Sequence, residues 1–226
     1  MSEEENAYLL EADLHVRVSS RCRRAYLHDL RDGLQAISGA VDLLARSSVA
    51  SGDNRPLIDR ASDLSRRAVT TYEQCVAGIL DDLLFPADLP VAVKVGDLLQ
   101  EVTKFLRNDA ASKEIALRLA REHEVTLDIP RRKLRLLLLG ILTALIDRLP
   151  PGEEIRVVLE RLGADAVIGI QAKIRFEEGL GAGSREWLAV TVARNVSASH
   201  GGRIEFDDLD PGRCLRLIFP VAADGI

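Results

Sequence analysis

The chain has 226 residues, 47% of them hydrophobic and 29% charged, which is enough apolar material for one or two packed cores and argues against disorder. Its 30 basic and 35 acidic side chains give a net charge of −5. Residues 1–86 carry 10 Arg against 14 acids and the remainder 20 basic against 21 acidic residues, so neither part offers a surface able to track nucleic-acid phosphates.

The acidic start, MSEEENAY, has no basic region followed by an apolar one, so no secretory signal is expected, and residues 1–12 read as a solvated tail. From Asp13 to Leu84 the pattern is helical. Leu27, Leu30, Leu34, Ile37, Val41 and Leu44 recur at three- and four-residue spacing, a heptad-like seam suited to a bundle. The polar segment Arg46–Pro56 reads as a loop. A second helix then carries Leu57, Ala61, Leu64, Ala68, Tyr72, Cys75, Ile79 and Leu83. Two such helices form a hairpin that cannot bury its apolar stripe alone, and pairing with a second copy into a four-helix bundle is the simplest solution.

After FPADLP (Phe85–Pro90) the texture changes, which places a domain boundary between residues 1–86 and 87–226. A strand is predicted at Val91–Val95, a helix from Gly96 to about Asn108, and strands at Ile115–Ala120 and Val125–Ile129. Pro130 suits the first turn of a helix that runs to Leu149 and stops at Pro150–Pro151. Its apolar run, Leu136–Ile146, is eleven residues long, against the roughly twenty that span a membrane. Strands follow at Ile155–Leu162 and Ala166–Ile174, then a glycine-rich loop with Gly179–Gly183 as a turn. A helix at Arg185–Ser199 and strands at Arg203–Phe206 and Cys214–Phe219 complete the chain. The fold class is therefore α+β: a helical hairpin followed by an α/β sandwich with helices on one face of a sheet. Cys22, Cys75 and Cys214 are three, distant from one another and without a C-x-x-C pair, so they read as small core residues. A cytoplasmic location is expected.

His28 lies one residue beyond the seam and should project from its flank. A lone histidine on a helix is ordinarily a surface residue; the alternatives are nucleophile, base or metal ligand, and the last lacks any H-x-x-x-H or cysteine partner. The surrounding string, YLHDLRDGLQAISGAVDLL (residues 26–44), resembles the H box of sensor histidine kinases through His28, Asp29, Leu30, Arg31, Leu34, Ile37, Gly39 and Leu43–Leu44. The family's proline is Gly33 here, and its Asn or Thr is Asp32. The resemblance implies that His28 is phosphorylated and that Asp29 orients it or accepts its proton, with Arg31 and Asp32 beside it. The family's Asn or Thr helps water attack a phosphorylated partner, and here the carboxylate of Asp32 stands in its place.

The second half resembles the family's ATP-binding (Bergerat) domain through LRLLLLGILTALIDRLPPGEEIRVVLER (134–161) and SHGGRIEFDDLDPGRCLRLIFPV (199–221). The departures fall on the nucleotide positions. Gly140 and Ala144 stand where the N box has asparagines, one of which coordinates Mg²⁺. QAKIRFEEG, with Lys173, stands in place of the D-x-G-x-G box. SREWLAV (184–190), with Arg185, Trp187 and Ala189, replaces the glycine loop that approaches phosphate. His200, Gly201 and Gly202 are preserved and read as a helix terminus and tight turn.

What the resemblance implies is a dimeric histidine phosphotransferase of a bacterial phosphorelay, moving phosphate between receiver-domain aspartates through His28. No cofactor is expected on this chain, Mg²⁺ being supplied by the receiver. Partners would be response-regulator receiver domains, a hybrid histidine kinase and a second copy, with no nucleic acid and no membrane. Two alternatives are a divergent kinase that still binds ATP, and a pseudokinase that binds and regulates another kinase.

Overall fold

The structure, a computed structural model, describes residues 3–49, 54–84, 92–121, 123–173, 185–209 and 212–221. It divides into two compact units, Ser19–Phe85 and the combination of Met1–Val18 with Pro86–Ile226. The first eighteen residues group with the C-terminal part in this division.

Helix α1 runs over Glu3–Val49 and α2 over Arg55–Leu84. The solvated tail expected for residues 1–12 is therefore replaced, from Glu3 onward, by helix. Its apolar stripe begins earlier than expected: Leu14 and Val18 are buried. Asp13 and Arg17, one turn apart with the acid N-terminal, form an ion pair at 2.9 Å that supports this first part of α1.

Within Ser19–Phe85 the two helices meet along Cys22, Tyr26, Gly33 and Ala40 of α1 and Ala61 and Ala68 of α2, all buried. Gly33 faces the ring of Tyr72. A Cβ there would lie 3.1 Å from the Tyr72 ring, and Tyr72 Oη donates to the Leu30 carbonyl at 3.4 Å. A glycine inside a helix costs about 1 kcal/mol relative to alanine; here it makes room for an aromatic ring. With no proline at this position, α1 continues through it as helix. Asn54 closes the hairpin: its side-chain amide donates to the Ser47 carbonyl of α1 at 2.6 Å, and its own carbonyl accepts from Leu57 and Ile58 of α2. The connecting residues 50–53, the segment 85–91 and the side chain of Cys75 lie outside the described residues.

The other unit contains β1 (Ala92–Lys94), α3 (Val95–Ser112), β2 (Ala116–Arg121), β3 (Thr126–Asp128), α4 (Arg131–Arg148), β4 (Glu154–Leu162), β5 (Asp165–Ala172), α5 (Arg185–Ser199), β6 (Arg203–Leu209) and β7 (Gly212–Pro220). Each falls within a few residues of its prediction. Strands β1 and β3 pair antiparallel as a small ribbon; the other five form a sheet in the order β2-β4-β5-β7-β6, antiparallel except for the parallel pair β2–β4.

Alternation sets the two faces of this sheet. Ile155, Val157 and Leu159 of β4 face the same way as Ile168 and Ile170 of β5 and Leu215 and Leu217 of β7, and all seven are fully buried. They form the core with Leu98, Leu99 and Val102 of α3, Leu134, Leu138 and Leu142 of α4, and Val192 and Ala193 of α5. The opposite face carries charge, including the pairs Arg118–Glu154 and Arg216–Asp207 at 2.9 and 2.8 Å. Helix α4 is buried almost all round, down to Arg135, whose guanidinium meets Glu101 of α3 together with that of Arg131. No helix among the described residues is long and apolar enough to cross a membrane.

Candidate functional site

The H-box residues lie on one exposed stretch of α1. The His28 side chain is 65% exposed, as its flank position predicts, with Arg31 and Asp32 also exposed and Asp29 half-buried. Two carboxylates flank the same ring nitrogen: Asp32 Oδ2 lies 3.3 Å from His28 Nδ1, and Asp29 Oδ1 lies 3.7 Å from it. Both contacts fall on Nδ1. A carboxylate only accepts, so a hydrogen bond to either acid needs the proton on Nδ1, and a neutral ring in that tautomer keeps its lone pair on Nε2. This side chain can act as a nucleophile through Nε2. Among the described residues no group of three or more His, Cys, Asp or Glu could hold a metal ion.

Several residues in the segments that align with the family's nucleotide boxes are buried. At Gly140, a Cβ would meet Leu14 Cδ1 and Cδ2, each at 3.1 Å, so α1 sets a leucine directly on the glycine of α4. One residue along, His15 Nε2 lies 2.9 Å from Arg132 Nη2, two turns before Gly140. Ala144 is buried. Lys173 pairs with Glu153 at 3.2 Å. Where the family has its phosphate loop, α5 has already begun, and Leu188 and Ala189 are core residues at 3% and 1% exposure. The side chains of Arg185 and Trp187, and the glycine-rich segment with Gly179–Gly183, lie outside the described residues.

The preserved His200–Gly201–Gly202 is a helix end. Gly201 has φ +71°, and the Gly202 N–H donates to the Ser197 carbonyl at 2.8 Å, which closes α5. A side chain at Gly202 has no room: its Cβ would lie 2.5 Å from the Ile218 carbonyl oxygen and 2.7 Å from the Phe219 ring. His200 Nδ1 lies 2.9 Å from the Val196 carbonyl, so that nitrogen is the donor.

Several solved structures that this chain resembles in fold are histidine kinases. The catalytic domain of histidine kinase ThkA matches with a TM-score of 0.52 at 13% identity, over 59% of this chain and 98% of that one. A histidine kinase from Burkholderia phymatum STM815 matches with a TM-score of 0.50 at 18% identity, over 92% of this chain and 99% of that one. The fold is histidine kinase-like. Histidine kinase AdeS of Acinetobacter baumannii gives a TM-score of 0.50 at 12% identity, over 87% and 98% of the two chains. No protein-family model matches the chain, and no curated protein matches it in sequence.

Two features of this histidine kinase-like chain escaped the sequence reading. One is the seating of Leu14 on Gly140, whose only signal is that Leu14 and Val18 extend the stripe of Cys22 and Tyr26 toward the N-terminus at four-residue steps. The other is Tyr72 against Gly33, which required pairing two helices in register. The approach of Asp32 to His28 was legible in principle, because residues four apart share a helix face.

Proposed function

We propose that the chain is a histidine phosphotransferase of a two-component phosphorelay. The observation that carries this reading is the exposed His28 with both carboxylates gathered at Nδ1, which leaves Nε2 open to a partner. A docked receiver domain would present its phosphoaspartate with its own Mg²⁺. Nε2 attacks the phosphorus, and the electrons of the breaking phosphorus–oxygen bond leave on the receiver's carboxylate. The reverse step, on a second receiver, passes the phosphoryl group onward. Asp29 and Asp32 lie beside the ring, and Arg31 supplies positive charge on the neighbouring turn. No nucleotide is needed, because the energy enters as an acyl phosphate.

Absence of ATP use is supported by Leu14 on Gly140 and by the core role of Leu188 and Ala189, which give the family's metal and phosphate positions to packing. Dimerisation is supported by the apolar residues that one chain leaves in water. Leu27, Leu34 and Val41 fall at heptad spacing on α1 and are 59%, 59% and 58% exposed, with Ile37 and Leu44 beside them and Val69 and Val76 exposed on α2. A second hairpin covering these residues completes a four-helix bundle with one His28 from each chain.

The test is incubation with a panel of receiver domains phosphorylated by acetyl phosphate. The expected result is acid-labile phosphate on His28, absent from His28→Gln. Labelling of His28 by Mg·ATP, with none from any receiver, would instead identify a kinase.

A further inference from the structure

Two carboxylates approach His28, and their places on the helix are not equivalent. Residue 29 is about 100° around the axis from residue 28, whereas residue 32 lies one turn along on the same face. Helical side chains also lean toward the N-terminus, so a residue covers the surface of the turn that precedes it. Asp32 is thereby directed over His28. The distances agree in rank: Asp32 Oδ2 lies 3.3 Å from Nδ1 and Asp29 Oδ1 3.7 Å from it, so Asp32 is nearer and needs the smaller rotation to reach hydrogen-bond range.

Resting on the phosphotransfer reading above, we propose that Asp32, and not the adjacent Asp29, is the positioning residue that holds the proton on Nδ1 and thereby selects Nε2 as the phosphoryl acceptor. The neutral ring with its proton on Nδ1 offers its lone pair at Nε2. Forming the Nε2–P bond breaks the acyl P–O bond and returns the receiver's carboxylate. It also places a positive charge on the ring, shared with the Nδ1–H that Asp32 faces. A hydrogen bond from Nδ1–H to Asp32 is charge-assisted once the phosphohistidine forms. In onward transfer the N–P electrons return to Nε2, and the same proton stays on Nδ1. No proton leaves the site in either direction, so the carboxylate acts by orientation and charge alone.

The experiment combines ring nitrogen NMR with transfer kinetics. The ¹⁵N-histidine-labelled protein is compared with Asp32→Asn, Asp29→Asn and Asp32→Glu, and the His28 signals are assigned by their loss in His28→Gln. Wild type is expected to hold the Nδ1–H tautomer. Asp32→Asn is expected to lose part of that preference and to slow transfer from a phosphorylated receiver about tenfold or more, the scale of a lost ring-orienting partner. Asp29→Asn should change both readouts less, and Asp32→Glu should recover part of each. Unchanged helicity by circular dichroism accompanies these results, since the residues replaced are at the surface. An Asp32→Asn protein with wild-type tautomer and rate overturns the assignment, as does a larger loss in Asp29→Asn. If wild type accepts no phosphate from any receiver, the phosphotransfer reading fails, while the tautomer comparison still decides whether Asp32 holds the ring.

Discussion

The hairpin and the α/β unit resemble parts of the same kinase architecture, yet they treat the corresponding residues in opposite ways. On α1 the chemistry-bearing side chains stay in water, with His28 two-thirds exposed and two carboxylates at one ring nitrogen. In the α/β unit, residues in the segments that align with the family's nucleotide boxes are buried: Gly140 lies under Leu14, and Leu188 and Ala189 are in the core. A side chain facing ligand and one facing core experience different demands, solvation with spare hydrogen-bonding capacity in the first case and shape in the second. The contrast is between polar side chains left in solvent on α1 and aligned positions filled by packing in the α/β unit.

The sharpest way to break this contrast is at His28. His28→Gln is expected to abolish phosphate acceptance from a phosphorylated receiver while leaving the thermal midpoint within the range of ordinary surface changes, about ±0.5 kcal/mol. A large loss of stability instead would make the histidine a packing residue. Next in size is the self-association of the hairpin. Leu34→Glu with Val41→Glu places charge on the exposed stripe, and sedimentation should report a monomer where wild type sediments as a dimer. Monomeric wild type would remove the bundle from the account.

The packed positions predict effects on stability. Leu14→Ala should cost about 2–3 kcal/mol by emptying the space over Gly140, read from denaturant midpoints. Gly202→Ala should cost about 1–3 kcal/mol, because its Cβ would overlap a carbonyl and a ring. Gly163→Ala tests the same residue type where only the positive φ opposes it, with open space around the Cβ, and should cost less than Gly202→Ala. The smallest effect concerns Cys214. Burial raises its thiol pKa, although Arg216 opposes the shift, so native alkylation at neutral pH should be slow relative to the unfolded chain. The sign follows. Both states hold a neutral thiol below the unfolded value, and stability from this group is lost as pH rises past it, because the unfolded chain ionises first.

Much of the fold was legible because apolar periodicity and proline placement are local signals. Pro130 sits directly before α4, and Pro150 follows its end within two residues. The seam of Leu27, Leu34, Ile37, Val41 and Leu44 was read correctly as apolar, but periodicity does not say what covers it. The partner stripe within the chain is instead Cys22, Tyr26, Gly33 and Ala40, mostly small residues that admit α2 closely. Leu14 on Gly140 joins residues distant in sequence, and no local pattern encodes such a contact. His28 and its acids were found because their spacing alone places them together on a helix.

The most direct test of the central contrast is calorimetric titration of the whole chain with Mg·ATP. The account predicts no saturable heat up to about 1 mM nucleotide, an affinity weaker than about −4 kcal/mol. Saturable binding with one nucleotide per chain would contradict it, because the α/β unit would then still present a ligand site where its residues are described as packed.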